Sequence, residues 1–197
     1  MLAFLEGRRG RVSFPIDTDD IVALLESKVK VLDQFADLRF EGPEVEGATA
    51  FVRGGIPSVR ISGRLQSPNL VNRLRTTLTH ELGHVHFHAC LYGLAVTDDL
   101  FPVSETSTQP VCLRNSMLDA PKSDWMEWQA GYCCGALLMP VTDVQQLVRE
   151  AVKAGSPSRP RVGSDPGKEL IDAVMRRYAV SHDAGRVRLS VLGYLTA

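Results

Sequence analysis

The chain has 197 residues, 44% of them hydrophobic, which is enough for one good core or for a domain with a helical appendage. Its formal charge of -1 divides into 13 Lys+Arg against 17 Asp+Glu over residues 1 to 140 and 9 against 6 over 141 to 197, an excess too small to mark a nucleic-acid surface. No stretch approaches the ~20 apolar residues of a membrane helix, and the apolar run at the start is too short for a signal peptide, so a cytoplasmic protein is expected.

In that reducing setting Cys90, Cys112, Cys133 and Cys134, which form no C-x-x-C pair, read as free thiols, with Cys133 and Cys134 as buried small hydrophobes. After Pro15 the run DTDDIVALLESK has Asp17 or Thr18 as a cap and Ile21, Leu24 and Leu25 on one side, which predicts a short amphipathic helix. From Val29 the pattern turns to alternation: VKVLDQF, then ATAFVR after Gly47, then SVRIS after Pro57. These read as a small sheet with a hairpin at Gly54-Gly55. An extended peptide could add to an edge of such a sheet by main-chain hydrogen bonds.

Pro68 and Asn69 mark the start of a helix of about twenty residues with Leu70, Leu74, Leu78, Leu82 and Val85 along one stripe. Within it, His80-Glu81-Leu82-Gly83-His84 is an H-E-x-x-H motif, and helical spacing puts both imidazoles on one face where they can share a zinc ion. Glu81 lies about 100° round from His80, the position of a general base beside the ion. His88 is two turns and about 80° from His80, too far to close one tetrahedral site, and His86 points elsewhere; both read as outer partners or packing groups.

Residues 92 to 123 are rich in Ser, Thr, Asp and Pro and read as mostly loop. SDWMEWQAGYCCGALLMP then predicts a buried helix, capped by Ser123 or Asp124, with its apolar face through Trp125, Trp128, Tyr132, Ala136 and Met139 and a stop at Pro140. Thr142 caps a further helix ended by Gly155, residues 156 to 167 form a Pro/Gly/Ser-rich linker, and two short helices follow, the second capped by Ser181. This last pair, with Arg186 and Arg188 exposed, reads either as a helix-turn-helix or as a pair packed on the preceding domain, the second reading being favoured.

A catalytic zinc usually takes three protein ligands and keeps one open position. His86 and Cys90 stand where a metzincin needs Gly and His, so the third ligand must come from elsewhere. Asp98, Asp99, Glu105 and Asp119 are loosely placed in the loop. Glu127 is held on a helix, where it could equally be the ligand or close a capping box with Asp124.

RLRTTLTHELGHVHFH, then EWQAGYCCGALLMP, then VSHDAGRVRLSVLGY, in this order, resemble the ImmA/IrrE family of metallopeptidases over roughly residues 45 to 193. The family pattern is R-x-T-[LI]-x-H-E-[LI]-[GS]-H, an E-x-x-A-N helix ending in L-L-M-P, and a terminal V-S-x-x-A-x-x-x-R-L-x-x-L-G. The resemblance implies a gluzincin-type site in which His80, His84 and Glu127 hold Zn2+ and Glu81 is catalytic. It implies as substrate a helix-turn-helix transcriptional repressor, often encoded alongside, whose cleavage makes the enzyme an antirepressor. One departure is Gly131, where the family has Asn: a side-chain amide is lost, and the low helix propensity of glycine, about 1 kcal/mol below Ala, implies close backbone packing on the motif helix.

In such an enzyme Glu81 takes a proton from the attacking water and passes it to the leaving amine, with Tyr92, Tyr132 and His88 as candidate donors to the oxyanion. The expected architecture is thus α+β and zincin-like: a small β-sheet packed on the H-E-x-x-H helix and a second ligand-bearing helix. It divides into a zinc metallopeptidase domain over 1–140 and a helical C-terminal subdomain over 141–197. The competing class is a non-proteolytic, zinc-containing or toxin-like regulator that binds a repressor or DNA.

Overall fold

The computed structural model describes residues 2–52, 54–94, 111–113 and 125–197. The loop readings at Asp98, Asp99, Glu105 and Asp119, the Ser123 or Asp124 cap and the capping box to Asp124 fall outside the described residues, as do the side chains of Tyr92 and Cys112.

The fold mixes a small sheet with seven α-helices among the described residues. α1 (Leu2–Arg9) is held by Leu5 in the core, with Phe4 packed against it, and by Arg8 and Arg9, which both reach Asp20 of α2 (Thr18–Glu26). α2 matches the sequence expectation: Asp17 is its cap, accepting from the Asp19 N–H, and Ile21, Leu24 and Leu25 are buried.

Strands β1 (Val31–Ala36), β2 (Val45–Ala50), β3 (Ser58–Ser62) and β4 (Val111–Leu113) lie in the order β1-β3-β2-β4. β3 runs parallel to β1, while β2 is antiparallel to both β3 and β4. The hairpin between β2 and β3 turns at Gly54, whose φ of 66° suits glycine. β2 begins three residues earlier than the alternation suggests, because Glu46 can enter the interior: it pairs with Arg73 and Arg64 and accepts from the Thr77 hydroxyl. β4, inside a stretch expected to be loop, is too short to carry a period of its own and is fixed only by pairing with β2.

α3 (Val71–Leu94) follows a short 3-10 turn at Pro68–Leu70 and carries the H-E-x-x-H motif. It packs chiefly against α4 (Trp125–Leu138) and lies across β2. α5 (Val141–Lys153) starts one residue before Thr142, with Pro140 at the cap position, and Gly155 follows its end at φ 103°. α6 (Asp165–Tyr178) and α7 (His182–Val191) are capped by Ser164 and Ser181 and separated by Ala179 in the left-handed conformation.

The stretch expected as a linker is tied to the end of the chain, Val162 N–H donating to Thr196 O and Thr196 N–H to Pro160 O. One apolar cluster runs from Leu5 to Leu195 and draws Leu78 and Leu82 from α3, Leu137 and Leu138 from α4, and Ile171, Val174, Tyr178 and Leu189 from α6 and α7. Two arginines bind the last helices to it. Arg75 of α3 donates to the Tyr178 and Ala179 carbonyls, and Arg188 of α7 donates to Met139 O. Arg188 is therefore buried rather than exposed, a correction to the helix-turn-helix reading: its guanidinium closes the C-terminal end of α4. Among the described residues no helix is long and apolar enough to cross a membrane.

Candidate metal centre

His80 and His84 sit one turn apart on the face of α3 turned towards α4, and both are fully buried. Glu127 enters from the first turn of α4, where the helix N-terminus favours a carboxylate. Its Oε2 lies 3.1 Å from His80 Nε2, its Oε1 lies 3.1 Å from His84 Nε2, and the two Nε2 atoms are themselves 3.1 Å apart. Burial works to raise the Glu127 carboxyl, but where the two imidazoles carry protons on Nε2 their hydrogen bonds and charge overcome it and hold the group well below the usual carboxylate range; where those protons are lost, the same nitrogens present lone pairs.

Three electron-pair donors in a buried triangle with sides near 3.1 Å match the edge of a tetrahedral site, which is about 3.3 Å for ligands at 2.0–2.1 Å from zinc. His80, His84 and Glu127 could therefore hold a metal ion. The donor set, two imidazoles and one carboxylate, suits a borderline divalent cation and, among the described residues, leaves a fourth position.

The approach of the helices follows from small residues. A Cβ on Gly83 would come within 2.9 Å of Ala130 Cα, so glycine there and alanine opposite let α3 and α4 nearly touch. The close contact between the two helices is made at Gly83; Gly131, one residue after Ala130, is half-buried. The buried face of α4 also differs from expectation. Trp125 and Trp128 are each 50% exposed and Tyr132 47%, whereas Glu127, Ala130, Cys133, Cys134, Leu137 and Leu138 are inside. Bulky aromatic rings would have kept the helices too far apart for Glu127 to meet the histidines.

Glu81 projects towards the sheet and is fully buried against β2. The Thr49 hydroxyl donates to its Oε2 at 2.5 Å, while Oε1 has no hydrogen-bond partner among the described residues. Gly47 makes room: a Cβ there would stand 2.5 Å from Glu81 Oε1. Neither Gly47 nor Thr49 was singled out by the sequence, since their role depends on how β2 registers against α3. The bare alternation of small residues in EGATA was the one available signal.

His88 is buried, its Nδ1 3.0 Å from His84 Nδ1 and its Nε2 3.1 Å from Gln129 Oε1, with Trp125 edge-on to the ring. Both its nitrogens are engaged, one by His84 and one by Gln129, so it lies beside the triangle and is not a corner of it. His86 is exposed beside Phe87. Tyr132 stacks on Trp128 under the Arg188 guanidinium, on the side of α4 away from Glu127. Cys133 and Cys134 are free, buried thiols that burial pushes up to about 11 and about 12, and Cys90 is an exposed free thiol. Compared with protein-family models the chain matches none, and among curated proteins it likewise finds no match.

Proposed function

We propose that this chain is a zinc-dependent endopeptidase of the gluzincin type, working on a protein substrate. What supports the reading most directly is one observation: a buried His80, His84 and Glu127 triangle next to a second buried carboxylate, Glu81, with an oxygen that has no partner among the described residues. A structural metal site closes with four protein ligands and needs no base, whereas three ligands and a neighbouring carboxylate suit hydrolysis. Zinc held there would supply a Lewis acid that polarises a carbonyl and brings water to a pKa of about 7.

The chain's own residues then divide the work. Thr49 holds Glu81 Oε2, which aims the carboxylate and leaves Oε1 to accept a proton from the attacking water and return it to the leaving amine. Gly47 keeps that oxygen from being covered. The resemblance of the three motifs to ImmA/IrrE peptidases supports a helix-turn-helix repressor as the substrate and a cytoplasmic setting. Direct DNA recognition through α6 and α7 is less favoured, because Arg188, one of the two arginines on which it rested, is buried.

The test is incubation of the purified protein with the repressor encoded beside it, followed by mass spectrometry. Wild type should carry one zinc, which His84→Ala lacks, and should release fragments that chelator and Glu81→Gln abolish. Zinc bound by wild type with no cleavage of any partner would sink the peptidase reading and favour a regulator that acts by binding.

A further inference from the structure

The two histidines of the motif are not equivalent. His84 Nδ1 faces His88 Nδ1, and His88 Nε2 faces the Gln129 side-chain oxygen, whereas His80 Nδ1 is buried without a hydrogen-bond partner among the described residues. With Gln129 presenting Oε1, which can only accept, His88 carries its proton on Nε2. His88 Nδ1 is then a lone pair, which can only accept from Nδ1–H of His84. A neutral His84 protonated on Nδ1 has its lone pair on Nε2, the atom directed at His80 and Glu127.

Read from the Gln129 end, with no reference to any ion, the chain of hydrogen bonds yields the tautomer that a metal ligand requires. We propose that His88 and Gln129 are positioning residues that lock His84 in its metal-binding tautomer and ring orientation, so that this ligand is prepared and His80 is not. Three features of the packing suit this role. His88 sits one turn beyond His84 on α3, Gln129 sits two residues beyond Glu127 on α4, and Trp125 closes edge-on against the His88 ring at 5.4 Å. The same two helices that bring the ligands together therefore also bring together the device that orients one of them. The inference rests on the triangle being a metal site, as proposed above.

The experiment is competition for zinc between a chromophoric chelator and the full chain. His88→Leu fills the space but accepts nothing and should weaken zinc binding by about 10- to 100-fold. His88→Gln presents an acceptor oxygen to His84 and should restore most of that loss, while Gln129→Leu, at a half-buried position, should weaken binding less than His88→Leu. Should His88→Leu not fold, as judged by the thermal unfolding of the metal-free protein, the Gln129→Leu variant and the nitrogen-15 imidazole spectrum of wild type decide. That spectrum should place protons on His84 Nδ1 and His88 Nε2. Equal zinc affinity for wild type and the folded variants, or the opposite tautomer at either ring, overturns the proposal. A wild type that takes up no zinc at all refutes the metal site itself, which is a different failure.

Discussion

Gly83 of α3 and Ala130 of α4 meet backbone to backbone, with a Cβ on Gly83 placed 2.9 Å from Ala130 Cα and 3.0 Å from Ala130 O. Main chain on the far side cannot rotate away as a side chain would. Gly83→Ala should therefore push the helices apart by a few tenths of an ångström and cost about 1–3 kcal/mol, despite the better helix propensity of alanine. Because Glu127 is one turn from Ala130, the same displacement should draw it from the histidines, so zinc affinity should fall together with stability. Urea unfolding and zinc competition check both; a variant as stable as wild type would show that the contact is slack.

The pocket for Glu81 predicts a different separation of effects. At Gly47 the obstacle to a Cβ is the Glu81 side chain, with its oxygen at 2.5 Å and its Cδ at 2.9 Å. Gly47→Ala should therefore displace the carboxylate and abolish cleavage while zinc content is retained. Thr49→Val keeps the shape but removes the donor to Oε2, and should lower the rate by about 10- to 100-fold, in the range of a lost positioning or proton-transfer contribution. Loss of zinc in either variant would place these residues in support of the ligands instead.

Asp143 of α5 receives both Arg177 and the Tyr178 hydroxyl of α6, at 2.7–2.9 Å. The hydrogen bond from Arg177, followed by that from Tyr178, holds its carboxyl below the ordinary value against the opposing effect of partial burial. A depressed folded pKa stabilises the fold above the unfolded pKa of about 3.9 and is lost as pH falls through the lower folded value. Asp143→Asn should therefore lower stability by about 1–2 kcal/mol at pH 7. The gap between variant and wild type should close in urea melts taken as pH drops from about 4 towards 2. A gap that stays constant over that interval would assign the effect to packing rather than to charge.

How much of this was legible beforehand depends on the range over which each residue acts. His80, Glu81 and His84 are placed by helical spacing alone, and the caps at Asp17 and Ser181 by local hydrogen bonding, so each could be read from a few neighbouring residues. Spacing leaves Glu127 level between ligand and cap, and only the resemblance implies it as the ligand. Its approach to the histidines depends on Gly83 and Ala130 of two separate helices. The buried face of α4 departs from the apolar pattern because hydrophobicity ranks tryptophan above alanine, whereas the closeness of α3 selects for small side chains. Arg188 misled in the same way, as a charge normally faces water and this one is buried against the carbonyl end of α4. The partners of Glu81 lie on a strand more than thirty residues away, and nothing local in β2 announces them.

The aromatic face that α4 turns outward has an optical consequence. The chain contains two tryptophans, Trp125 and Trp128, and both lie on the helix that carries Glu127. One has its edge against His88, the other stacks on Tyr132, and each is half exposed. All indole emission from this protein therefore originates on a single helix, with the Trp125 ring 5.4 Å from that of His88, so that the native fluorescence reports locally on that helix without any attached dye. A titration with zinc, or with a peptide laid along this face, would be recorded by the protein's own light.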